Sequence, residues 1–173
     1  MLRPMWWLWL DNNACYPAVE WASKYTSFKE AWKACPRADW LYWLVEEVAR
    51  DQIDQLRIPI TKLFEKVAPK RYQASIKRVL KELKKTGGEW DDELEDRISL
   101  KLPYSMPKYL YSLFAPSMWD SNDILILMNS NRVDKQKITA VIRRTVPFDL
   151  IEDELGRVLG EADVNRLSQD DDW

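Results

Sequence analysis

The chain has 173 residues, 46% of them apolar, with a formal net charge of −2, ten tryptophans, two cysteines, four glycines and no histidine. The lack of histidine excludes Ser-His and Cys-His nucleophile pairs, and two cysteines cannot supply a structural zinc site of four Cys/His ligands. So few glycines disfavour a sandwich or barrel of many tight turns, while length and apolar content suit one domain with a real core.

The opening MLRPMWWLWL resembles a leader, but its apolar run, Met5 to Leu10, covers only six residues and no small-residue cleavage site follows. No later run approaches the roughly 20 apolar residues of a membrane helix. The expectation is a soluble, cytoplasmic protein that engages no membrane and keeps its cysteines reduced. Spacing alone leaves a disulfide between Cys15 and Cys35 open. Trp6, Trp7 and Trp9 show no helical period, so residues 1–12 read as an irregular, Trp-rich strap. Such a segment either lies across the helices or offers aromatic anchors to a partner.

Helical periodicity then takes over. Pro17 stands near the first turn of a short helix running to about Ser23, with Ala14, Ala18 and Ala22 at i, i+4 and i+8. Ser27 and Glu30 form a capping box ahead of Phe28, Ala31, Trp32 and Cys35, spaced i, i+3, i+4 and i+7. Pro36 ends that helix. Asp39 is placed to cap the next, whose apolar face holds Trp40, Leu41, Leu44, Val45 and Val48.

Ile60, Leu63, Phe64 and Val67 repeat the spacing up to Pro69. KRYQASIKRVLKELKK carries the stripe Tyr72, Ile76, Val79, Leu80 and Leu83, and stops at Gly87-Gly88. Trp90, Leu94 and Ile98 mark a thinner helix. Pro103, Pro107 and Pro116 divide the next stretch into short pieces, with KYLYSLF helical. NDILILMN could be a buried strand, but no partner strand is evident, so it reads as a helix capped by Ser121.

Asp134 caps KQKITAVIRRTV, with Ile138, Val141 and Ile142 inward. Asp149 and Glu152 form a second capping box, opening a last helix that buries Ile151, Leu155, Val158 and Leu159. The acidic tail, residues 168–173, is expected to fray. The expected fold is all-α, a single compact domain over residues 1–173 with about eight or nine short helices.

A motif runs through the first helices. ACYPAVEWA, a short spacer and SFKEAWKACPRADWLYWL, followed by APKRYQASIKRVL, resemble a family of small helical immunity proteins of bacterial toxin systems and bacteriophage proteins of the same pattern. The residues that carry the likeness are Ala14, Cys15, Ala18, Trp21, Ala22, Glu30, Ala31, Trp32, Cys35, Arg37, Asp39, Trp40, Trp43 and Leu44. It extends over about residues 13–85, and KQKITAVIRRTVP is similar to the family's closing helix. Between them, LPYSMPKYLYSLFAPSMWDSNDILILM stands where the family has long alanine-rich helices. The resemblance implies a helical fold and binding rather than turnover: no catalytic residue and no cofactor, with a protein partner such as a toxin, a defence component or a host machine.

Four features compete as sites. Trp21, Trp32, Trp40 and Trp43 lie on or beside apolar faces and read first as core, with Asp39 as a partner for an indole N–H and Arg37 against a carboxylate such as Glu30. Trp6, Trp7 and Trp9 are the expected partner-binding anchors. From Lys62 to Lys85 nine Lys and Arg face two Glu, and Lys70, Arg71, Lys77, Arg78, Lys81, Lys84 and Lys85 form a basic helix surface. That surface is about 20 Å long, enough to follow nucleic-acid phosphates or an acidic partner, unless the six carboxylates of Glu89 to Asp96 neutralise it. Asp92 with Glu95, or Asp170 to Asp172, could hold Mg²⁺ only inside a shaped pocket, so no metal site is expected. The leading expectation is a non-enzymatic inhibitor that occludes a protein target; the alternative is a nucleic-acid-binding accessory protein using residues 70–85.

Overall fold

The computed structural model describes residues 5–100, 124, 128–129 and 134–170. Every regular element among them is helical, and no strand occurs among the described residues. The all-α expectation holds. The chain divides into two compact units, Met1–Cys35 with Pro147–Trp173, and Pro36–Val146.

The first unit contains α1 (Met5–Asn13), α2 (Tyr16–Ala22), α3 (Phe28–Ala34) and α9 (Phe148–Asp170). The irregular strap expected over residues 1–12 is corrected here: from Met5 onward it is helix. Apolar residues around most of its circumference hide the period, yet Trp7 and Leu10, three apart, are both buried. The Asn12 and Asn13 side-chain amides donate back to the Leu8 and Trp9 carbonyls and close its C-terminal end. Pro17 sits in the first turn of α2, as expected.

Ser27 caps α3 by accepting from the Glu30 backbone N–H at 3.1 Å. The Glu30 carboxylate accepts instead from the Thr26 hydroxyl. Phe28, Ala31, Trp32 and Cys35 are all buried. The Phe28 ring stands 5.6 Å from both Trp6 and Phe148. α9 departs from expectation at its start: it begins at Phe148, so Asp149 lies inside the first turn rather than capping it, and the helix runs to Asp170. Ile151 and Leu155 are buried, while Val158 and Leu159 are only half-buried.

The second unit is built on α4 (Ala38–Val48), a short 3-10 turn (Arg50–Gln52), α5 (Ile53–Val67), α6 (Lys70–Lys85), α7 (Asp92–Ser99) and α8 (Lys135–Thr145). α5 packs on α6 and on α8, α8 also meets α4, and α7 lies against α6. α4 starts one residue before Asp39, which therefore sits in the first helical turn instead of capping it. There the buried Asp39 carboxylate takes two bonds from Arg37, at 2.9 and 2.7 Å, where Glu30 was the expected partner for Arg37. Arg37 also covers the Trp40 ring at 4.7 Å.

The predicted stripe of α6 is buried in full: Tyr72, Ile76, Val79, Leu80 and Leu83. Burying five such side chains stabilises the unit by about 1.5–3 kcal/mol each. Asp91 caps α7 and Asp134 caps α8, each through its side chain. Ile124 and Met128, one turn apart, are helical and buried, and the Asp39 N–H donates to the Met128 sulfur at 3.3 Å. The helical reading of NDILILMN stands at those two residues; Ser121, KYLYSLF and residues 171–173 lie outside the described residues. Cys15 is exposed and Cys35 buried, and the two are not joined in a disulfide.

Candidate functional site

The turn after α6 organises the charged surface. Gly87 and Gly88 have φ of +67° and +92°, and the Gly88 N–H returns to the Leu83 carbonyl at 3.0 Å. A side chain at Gly88 would place its Cβ 2.3 Å from the Asp54 carbonyl oxygen of α5. Only glycine fits there. Arg57 of α5, itself buried, donates to the Gly88 carbonyl at 2.8 Å, pairs with Asp54 and lies 5.6 Å from the Trp90 ring centre. The glycine pair is thus clamped to α5, and α7 is launched against α6.

This geometry brings the basic and acidic blocks side by side without neutralising them. Lys70, Arg71, Lys77, Arg78, Lys81, Lys84 and Lys85 are all exposed. Lys77 reaches Glu65 of α5 at 3.8 Å, and Lys85 reaches Glu82 within α6 at 3.1 Å. Arg78 donates to the Ser75 hydroxyl, and Arg71 stacks on the ring of Tyr72. Across the seam, the contact runs from Arg97 of the acidic helix to Glu82 of the basic one. Among the described residues, no ion pair joins a carboxylate of Glu89 to Asp96 to any cation of α6. Of the two alternatives left open by the sequence, the described residues favour a two-signed surface over mutual quenching.

The three N-terminal indoles do not form one exposed patch. Trp7 is 8% exposed and belongs to the packing, while Trp6 and Trp9 are half-buried. Leu8, between them, is the outward residue at 41%. Of the four motif tryptophans, Trp32 is buried; Trp21, Trp40 and Trp43 are half-buried, with Trp21 4.8 Å from the Tyr25 ring. Among the described residues, no group of Cys, Asp and Glu converges as a metal site, and no helix is long and apolar enough to cross a membrane.

A second cationic feature was not anticipated. Between α5 and α8 lies a cavity of about 490 Å³, flanked by Lys62 and Lys66 on one helix and Lys137 and Arg144 on the other. Its floor is Pro59, Leu63, Ala140 and Val141. The i, i+4 and i+7 spacings of these cations were visible in the sequence, but not that α5 and α8 are neighbours. The chain matches no protein-family model, no curated protein and no solved structure.

Proposed function

We propose that the protein is a non-enzymatic, immunity-like inhibitor that occludes a protein target, a toxin, a defence component or a host machine, through the surface of α6 and α7. One observation carries this reading: opposite charges lie side by side and face outward. Such a surface suits a protein whose own charges alternate in the complementary sense, and steers its approach. It suits a nucleic acid less well, because phosphates leaving the α6 face would meet the carboxylates of α7. The nucleic-acid reading retains one support, the exposed run of Lys70, Lys77, Lys81 and Lys84 along α6.

Affinity capture from host lysate, with and without nuclease, tests the proposal when repeated with the triple variant K77E/K81E/K84E. A protein inhibitor keeps a nuclease-resistant partner, and the variant associates more slowly, mainly at low salt. A nucleic-acid binder loses its partner to nuclease. The variant would then flatten the slope of log affinity against log salt by about 2.7 units for duplex DNA, and that result would overturn the inhibitor reading.

A further inference from the structure

The groove between α5 and α8 lies apart from the α6–α7 face and has four cations in its lining. Lys62 and Lys66 stand one helical turn apart, about 6 Å, and Lys137 and Arg144 two turns apart, about 10 Å. Among the described residues no carboxylate lies within 4 Å of these four cations, and none lines the groove. Four like charges around one cavity repel one another, and a multiply charged anion relieves that repulsion. The floor between them is apolar, built from Pro59, Leu63, Ala140 and Val141, with the Thr145 side chain at its edge.

Size and relief narrow the occupant. The volume of about 490 Å³ falls in the range of small-ligand sites, about 300–1,000 Å³. A groove two helical turns long is too short to track a nucleic-acid strand. Its apolar lining holds no aromatic side chain and its charged lining is wholly cationic, which suits a compact anion better than a peptide anchored by a bulky residue. A flat apolar group can lie on such a floor, while a compact cluster of negative charge reaches the cations on both banks.

We propose that this groove binds a nucleoside polyphosphate, with the phosphates held by Lys62, Lys66, Lys137 and Arg144 and the base laid on Pro59, Leu63, Ala140 and Val141. The site is independent of the α6–α7 docking face, and either can fail without the other.

Isothermal titration calorimetry on the full chain tests it, with ATP, inorganic tripolyphosphate, adenosine and an octaglutamate peptide as probes. ATP should bind more tightly than tripolyphosphate, and adenosine should give no heat, because the charge supplies most of the affinity and the floor the remainder. K62A/K66A and K137A/R144A should each weaken ATP by about tenfold or more, since each removes two charge-assisted contacts. K77A/K81A, on the outer face of α6, should change it by less than about twofold. All six side chains are exposed, so these variants should fold, which far-ultraviolet spectra will verify. The proposal is overturned if ATP gives no binding at millimolar concentration, or if the α6 variant weakens it as much as the groove variants. Equal affinity for tripolyphosphate and ATP would remove the base from the floor and sink the nucleoside assignment. Tighter binding of octaglutamate than of ATP would make the groove a peptide site instead.

Discussion

Glu82 and Arg97 meet with their signs crossed: the acid belongs to the basic helix and the base to the acidic one, with Arg97 Nε 3.1 Å from Glu82 Oε2. The Arg97 Nε–H is not aimed at that oxygen, so the contact is an ion pair rather than an aligned hydrogen bond. Arg97 also reaches Glu93 at 2.8 Å, and Lys85 shares Glu82 at 3.1 Å. The seam between α6 and α7 is therefore held by the minority charge of each helix. That arrangement leaves the majority charges turned to solvent.

Replacing Arg97 with methionine should cost about 1–3 kcal/mol, because the Glu82 side chain, 9% exposed, would retain Lys85 and lose its partner across the seam. The double variant E82M/R97M should lose less than the sum of the two single variants, since each single variant already removes the contact across the seam and the double removes it only once. Urea midpoints with an unchanged m-value provide the measurement. Strict additivity would show that the pair is not an energetic unit.

Gly88→Ala should destabilise the protein clearly more than Gly87→Ala. Both positions have positive φ, which costs a non-glycine residue about 1–2 kcal/mol. At Gly87 a Cβ meets nothing within 4 Å, whereas at Gly88 it collides with the backbone of Asp54. Thermal melts of the two variants compare strain alone with strain plus collision. Equal melting temperatures would mean that the turn can move off α5.

Trp32→Ala should lose about 3–5 kcal/mol, the range for a large buried aromatic. Trp40→Ala should lose distinctly less, because the Trp40 indole is half-buried and packs partly under the Arg37 guanidinium. Denaturant titrations of both variants will rank them. A reversed order would show that the Arg37–Trp40–Asp39 cluster outweighs burial.

Local features were the most legible in the sequence. The stripe from Tyr72 to Leu83 and the caps at Ser27 and Asp134 depend on neighbours within a turn or two, and each is realised. The aromatic opening was misread because Trp6, Trp7, Leu8, Trp9 and Leu10 leave no polar face, and a helix without amphipathic contrast has no period to detect. The cap was placed at Asp39, two residues after the actual N-cap Arg37, because an aspartate in the first helical turn is as favourable electrostatically as one at the cap. The basic helix could be read as a surface, but the fate of its charges could not. That depends on Gly88 touching Asp54, a contact between residues more than thirty positions apart. The groove depends likewise on α8 meeting α5, which no spacing along the chain encodes.

The discontinuous composition of the first unit sets an order on biosynthesis. α1, α2 and α3 are made before the Pro36–Val146 unit, yet α9, which contacts α1 and supplies Phe148 to the Phe28 ring, is made after it. The intervening Pro36–Val146 unit is contiguous and can gather its own helices while the chain is still growing. The usual amino-to-carboxyl sequence of folding is thereby inverted. The α1–α3 segment must wait, with the Phe28 ring lacking Phe148, until α9 has followed the whole of the Pro36–Val146 unit out of the ribosome.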